Sequence, residues 1–264
     1  MNNTINQKPV REIMTVAHKQ MITPHYIRIY LTGQADTIAN IATMTVGANN
    51  KVLIPVDKAQ PIDLNDNTTF VVRTYTHRGS DVAKQQIWID FVAHGDKAPA
   101  SGWATHAEVG DEIGILMKPK TKALCPDADN FLLIGDATAI PVLGSILESL
   151  PASATGQCII EVHGTEDEQE LPTAANINMT WLHNPDPTQG SQLIDTVKSL
   201  TLPTVEQSRF AYIASEFSSV KALRHYLKVE QQWSKDELYA FSYWKAGVAE
   251  DQSVSDRQAE KNTD

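Results

Sequence analysis

Cysteine is nearly absent from this chain, with two in 264 residues, and neither Cys125 nor Cys158 sits in a Cys-x-x-Cys pair or a metal-spaced cluster. That argues against a disulfide scaffold, a cysteine-held zinc site and an iron–sulfur cluster, and it fits a reducing compartment. Long apolar runs are also missing. No stretch approaches the roughly 20 residues of a membrane span, and MNNTINQKPVREI at the N-terminus has no apolar core of signal-peptide length, so a cytoplasmic protein without membrane insertion is expected. The eight histidines form no HExxH and no pair at helical spacing, so no metal site is expected. Neither GxSxG nor GxxxxGK[ST] occurs, which counts against a serine hydrolase and a P-loop nucleotidase. The lack of GxGxxG weakens a Rossmann reading. Positive charge is scarce, with 22 Lys and Arg against 32 Asp and Glu, a net −10 that argues against nonspecific nucleic-acid binding. The deficit is uneven: residues 1–125 carry 13 basic against 11 acidic groups, and residues 126–264 carry 9 against 21.

The remaining composition, 42% hydrophobic and 20% charged, is that of a globular chain long enough for two modest domains. From Val10 to Lys118 short segments rich in Val, Ile, Thr and aromatics (REIMTVAHKQ, HYIRIYLTG, KVLIPVD, FVVRTYTHR, QQIWIDFVAHG, DEIGILMK) alternate with turn residues at Pro24-His25, Gly47 to Asn50 and Val109 to Asp111. Six such strands predict a small antiparallel barrel. Beyond a linker at Pro119 to Asn130, the strands FLLIGD, QCIIEVHG, NMTWLHN and RFAYIAS are almost continuously apolar and are interleaved with the helical patterns IPVLGSILESL and SSVKALRHYLKVEQQW. That alternation predicts a parallel sheet covered on both faces. The expected boundaries are 1–125 for the barrel, 126–248 for the α/β domain and 249–264 for a frayed polar tail.

FVVRTYTHRGSDVAKQQIWIDFVAHGDKAPASGW reads as a strand, a turn at Gly79-Ser80-Asp81, a second strand through Trp88 to His94, and a short helix opening near Ser101. Alternation sends Arg73 and Tyr75 to one face and Thr74 and Thr76 to the other, so a guanidinium and a ring stand side by side, as a dinucleotide requires. Ala100, Ser101 and Gly102, small residues at the start of the helix, let a pyrophosphate approach its free N–H groups. The competing reading is an ordinary hairpin with solvated arginines and Tyr75 in the core.

In order and spacing, RTYTHR, DFVAHGDKAPASGWA, LLIGDATAIP, YIASEFSSVKALRHYL and YWKAG resemble the siderophore-interacting proteins, which are FAD-dependent ferric-siderophore reductases. The resemblance runs from Val10 to Gly247. It implies an N-terminal antiparallel FAD-binding β-barrel and a C-terminal parallel-sheet domain of nucleotide-binding type, the ferredoxin-reductase-like arrangement. It also implies FAD as cofactor, NAD(P)H as co-substrate, and ferric siderophores as substrates. The FAD contacts it implies are Arg73, Thr74, Tyr75, Thr76, Arg78, Asp90, Phe91, Val92, His94, Ala100, Ser101, Trp103 and Thr138.

Gly135-Asp136-Ala137-Thr138-Ala139 closes an apolar strand and opens a helix with Pro141 in its first turn, and ligands bind at such strand ends. The resemblance brings nicotinamide to Gly135, Asp136, Ala139 and Glu216. Two residues depart from the family pattern there: Ser215 replaces glycine before Glu216, and Ala137 replaces an acidic residue. Ser218 is read as the cap of the following helix, and Arg224 as an exposed residue on it. Lys51, Lys118, Lys120 and Lys245 are the candidate contacts for an anionic ferric complex, with MKPKTK standing where the family has a glycine-rich stretch. Tyr243 and Trp244 are read either as a screen for the flavin ring or as packing.

No acid–base dyad or nucleophile is visible, as expected where the cofactor carries the chemistry and no protein residue is catalytic. Three readings remain: the reductase, as a monomer; a flavoprotein of the same fold with a ferredoxin donor or another acceptor; and a redox-silent siderophore carrier.

Overall fold

The computed structural model describes residues 7–261, so the first six residues of the N-terminal segment and the last three of the expected tail lie outside the described residues. The chain divides into two compact units, Met1–Leu124 and Cys125–Asp264.

The first unit contains β1 (Val10–Thr23), β2 (Tyr26–Thr32), α1 (Ala35–Ile41), β3 (Asn49–Pro55), β4 (Phe70–Thr76), β5 (Gly79–Asp81), β6 (Gln86–Val92), α2 (Pro99–His106) and β7 (Glu112–Met117). The strands form one antiparallel half-barrel sheet in the order β4-β3-β7-β1-β2-β6-β5. Alternation sends Ile27, Ile29 and Leu31 of β2, Ile87, Ile89 and Phe91 of β6, and Ile113 and Ile115 of β7 into one core. Each side chain so buried contributes roughly 1.5–3 kcal/mol. The sequence shows no element between Thr32 and Asn49; the structure places α1 there, without a side-chain cap, and Ile38 and Ile41 hold it to the core.

Gly79-Ser80-Asp81 is not a turn. It is the edge strand β5, and the chain reverses after it, at Val82 to Gln85, where Gln85 takes a φ of 53°. The glycine is there for the indole of Trp88, its cross-strand partner: a Cβ on Gly79 would lie 2.1 Å from the ring.

The second unit contains β8 (Asn130–Asp136), α3 (Ile140–Ser149), β9 (Thr155–Val162), β10 (Asn176–His183), α4 (Leu193–Lys198), β11 (Arg209–Glu216), α5 (Phe217–His225), β12 (Leu238–Trp244) and α6 (Glu250–Lys261). Its strands are parallel in the order β10-β9-β8-β11-β12. Leu132 and Ile134 of β8 and Ala211 and Ile213 of β11 pack with Val220, Leu223 and Leu227, the residues that repeat at helical spacing. Gly135, of opposite parity on β8, faces Leu143 of α3, so both sheet faces are covered. The strand order reverses between β8 and β11, which makes their carboxyl ends the topological switch point.

Three expectations are corrected in this unit. The long helical pattern after Ser218 ends at His225 and continues only as a wider turn over Tyr226–Glu230. Arg224 is buried, and its guanidinium donates to the Ala240 carbonyl. The polar tail is helical through Lys261, because Arg257 donates to the carbonyls of Tyr243 (2.6 Å) and Ser242 (3.4 Å). Anchoring of that kind leaves no hydrophobic signature in a sequence. Among the described residues no helix is long and apolar enough to cross a membrane.

Candidate functional site

In the first unit the site is built on the β3–β4 ribbon. The Tyr75 ring is half-buried, its centroid 4.4 Å from that of Phe91, and Phe91 lies 5.8 Å from Trp103. Tyr75 therefore leans on the core while part of it stays accessible. The Arg73 Nη1 group donates to the Val72 carbonyl at 2.8 Å, and Arg78, half-buried, follows two residues beyond β4. Lys51 pairs directly across the ribbon with Thr74, and Asn49 with Thr76, so these four share the face opposite Arg73 and Tyr75. Lys51 Nζ donates to Thr74 Oγ1 and Lys120 Nζ to Asn49 Oδ1, which brings two of the candidate lysines to one face. The strap carrying Lys120 is tied down by Thr45, whose N–H and hydroxyl donate to the Lys120 carbonyl at 2.9 and 3.0 Å. Lys118 is exposed just beyond β7.

On β6, Phe91 is wholly buried, so only its main chain is left for a ligand, and Val92 pairs with Tyr26. The Asp90 carboxylate is already committed: Arg28 grips it with two bonds of 2.7 and 2.8 Å, and the Tyr26 hydroxyl donates at 3.3 Å. Burial, reinforced by Asp90, pushes the Tyr26 phenol well above its usual range. Sequence reasoning missed Tyr26 and Arg28, although their spacing of two in an apolar strand was a usable signal. His94 and Ser101 are brought together, the His94 N–H donating to Ser101 Oγ at 2.9 Å. α2 starts with Ala98 supplying no side-chain cap and Pro99 supplying no N–H, so the N–H groups of Ala100 and Ser101 lack a local side-chain acceptor. Gly102 is small for a different reason from the one expected: a Cβ there would lie 2.6 Å from the Asp96 carbonyl oxygen.

Also missed was His77, within RTYTHR itself. It is fully buried, and neither its ring nitrogens nor the amide of buried Asn50 find a hydrogen-bond partner among the described residues. Burial lowers its pKa to about 4, so the ring is neutral.

In the second unit two carboxylates stand at the switch point, at the ends of β8 and β11. Asp136 Oδ1 accepts from the Thr138 N–H at 2.9 Å and from its hydroxyl, while Oδ2 accepts from Ser215 Oγ at 2.9 Å and Trp244 Nε1 at 2.8 Å. Burial raises its pKa despite these donors. Glu216, not Ser218, caps α5: its Oε2 accepts from the N–H groups of Ser218 and Ser219 and from the Ser218 hydroxyl. Its Oε1 accepts from the Ala246 N–H at 3.1 Å. Asp136 and Glu216 thus hold the segment Trp244 to Ala246 from both sides. Thr138 and Gly135 lie against Asp136, and Ala139 is buried in the short helical turn that follows. Lys245, between the two held residues, has its Nζ 2.6 Å from Asp256 Oδ2 and 4.8 Å from the centroid of Phe217.

The donor set of the first unit fits FAD. Two guanidinium groups and two helix-start N–H groups suit a pyrophosphate, and a half-exposed phenol ring suits a planar heterocycle. Residues 15–123 match the family model described as the siderophore-interacting FAD-binding domain, and residues 128–247 match the siderophore-interacting protein model. The chain is 29% identical over 261 residues to the ferric vibriobactin reductase ViuB of Vibrio cholerae, covering 95% of each chain. It is similar in structure to the siderophore-interacting protein SipS of Aeromonas hydrophila, with a TM-score of 0.82, 27% identity, and coverage of 94% of this chain and 97% of that one. A ferredoxin NADP+ reductase from Neisseria gonorrhoeae shares the fold, with a TM-score of 0.62 at 15% identity over 88% of this chain and 98% of that one. Two family models in tandem, on a half-barrel followed by a parallel sheet, place the chain in the siderophore-interacting protein family, with an FAD-binding first domain.

Proposed function

We propose that this protein is a ferric-siderophore reductase that takes electrons from NAD(P)H and delivers them through FAD to iron still held by its siderophore. The observation that carries this reading is the β3–β4 ribbon, where Arg73 and Tyr75 occupy one face and Lys51, with Lys120 beside it, the other. Together they form a cofactor face and an anion-attracting face on the same two strands. Bound FAD supplies the step from a two-electron hydride donor to one-electron delivery. Arg73, Arg78 and the N–H groups of Ala100 and Ser101 neutralise its pyrophosphate, and Tyr75 gives its ring a surface to lie on. On the second unit Gly135, Asp136, Ala139 and Glu216 form the strand-end edge offered to nicotinamide. Asp136 and Glu216 act there by fixing the backbone and Trp244, since their own oxygens are occupied.

Lys51, Lys118 and Lys120 on the first unit, and Lys245 on the second, are each a positive charge available to an anionic ferric complex, without ligating iron. One NAD(P)H yields NAD(P)+, a proton and two electrons, which reduce two Fe(III) to two Fe(II). The hard oxygen ligands hold Fe(II) less well, so the metal is released. We place this reaction in the cytoplasm, with the protein as a monomer.

The test is anaerobic turnover with NADH and NADPH in turn, a ferric-siderophore panel and an Fe(II) chelator. Yellow protein bleached by nicotinamide and reoxidised by a ferric siderophore is the expected result. Bleaching without reoxidation would move the acceptor elsewhere. Reduction only by a ferredoxin would replace the donor, and a colourless protein that never takes up FAD would leave a carrier.

A further inference from the structure

Lys245 enters its site already neutralised by the chain's own C-terminal helix. Its Nζ is 2.6 Å from Asp256 Oδ2, and the next residue, Arg257, is buried and pinned to the carbonyls of Ser242 and Tyr243. Asp256 is therefore a placed charge. The span matching the family model ends at residue 247, so α6 and Asp256 lie outside it. The pair is only partly shielded, with 30% of the lysine side chain and 51% of the aspartate side chain exposed. An incoming anion can compete for Lys245, but it meets a pair whose net charge is zero.

We infer that Asp256 is a specificity-determining residue that tempers the preference for highly anionic ferric complexes relative to neutral or weakly charged ones. The inference rests on the reading of Lys245 as a siderophore contact. Three hydroxamates neutralise Fe(III), whereas three doubly ionised catecholates leave a trianion. Asp256 occupies Lys245, and the attraction so withheld scales with the charge of the complex, so a trianion loses most and a neutral complex almost nothing. At a separation of about 8 Å in water, screened by physiological salt, one freed lysine charge changes trianion affinity by about two- to threefold.

The experiment titrates the oxidised FAD-loaded protein with the ferric complexes of a tris-catecholate and of a trihydroxamate, following flavin or tryptophan quenching, and measures turnover in parallel. Asp256→Asn, and Asp256→Ala as a second variant, should tighten the tris-catecholate complex about two- to threefold, leave the trihydroxamate unmoved, and lose the gain in higher salt. In a Lys245→Ala background the same substitution should have a much smaller effect. An unchanged affinity ratio, or a gain that persists in full without Lys245, would overturn the role of Asp256 while leaving the reductase reading intact. Wild-type protein that binds neither complex would overturn both.

Discussion

Ser215 Oγ lies 2.9 Å from Asp136 Oδ2, joining the ends of β11 and β8, where the family pattern has a glycine that offers no hydroxyl. Ser215→Gly should cost about 1–3 kcal/mol wherever Asp136 is ionised, because one donor to a buried carboxylate is lost. Burial holds the Asp136 pKa above its unfolded value, so the folded state takes up the proton first as pH falls. The deficit should therefore be largest above the folded pKa of Asp136 and shrink below it. Urea denaturation as a function of pH, with Trp244 fluorescence reporting the ring held by the same carboxylate, checks both points.

His77 gives the opposite sign. Its folded pKa of about 4 lies below the unfolded value of about 6.5, so the unfolded chain binds the proton first. Stability should be full above the unfolded value and should fall by up to about 3 kcal/mol as pH drops from 7 to 4. His77→Leu should flatten that part of the profile. A slope unchanged in the variant would assign the acid sensitivity to another group.

The Arg28–Asp90 pair predicts a non-additive result. Arg28→Met alone strands a buried carboxylate and should cost about 3–5 kcal/mol, whereas Arg28→Met combined with Asp90→Leu should recover much of that loss. Thermal or urea unfolding of the two variants gives the comparison directly. Equal losses would mean that the ion pair does not govern this part of the sheet.

For the cofactor face, Arg73→Ala should weaken FAD retention at least tenfold, the cost of one charge-assisted phosphate contact of roughly 1.5–3 kcal/mol. Lys51→Ala should raise the KM for a ferric siderophore more than it slows flavin reduction by NAD(P)H. Flavin content after gel filtration and stopped-flow bleaching separate the two. An Arg73→Ala protein that keeps its full flavin complement would remove this strand from the cofactor site.

Much of this architecture was legible because it is written in side-chain period. The alternating strands of the first unit and the apolar β8 and β11 could be read from the chain, as could the stripe of Val220 and Leu223 on α5 and Leu227 just beyond it. Errors arose where one residue type serves two purposes. Gly79 reads as a turn residue but makes room for Trp88, Gly102 reads as a ligand cradle but faces Asp96, and Ser218 reads as a cap but donates to one. Arg224 and Arg257 were opaque because each is buried on main-chain carbonyls that no sequence pattern announces. Among the candidate site residues, what holds Asp90, Asp136 and Glu216 was not visible, since Arg28, Trp244 and Ala246 are remote from them in sequence.

The bond from Trp244 to Asp136 spans 108 residues and reaches from the last strand of its unit back to the first. At synthesis rates of about 5–20 residues per second, Asp136 leaves the ribosome roughly 5–20 s before its indole donor exists. In that interval the nascent sheet lacks its closing edge, and the carboxylate must stay wet or protonated. That bond, and the sheet edge it belongs to, can close only after the final strand has left the exit tunnel. A chain cut short before β12 should be recognised by quality-control proteases rather than accumulate as a half-active fragment.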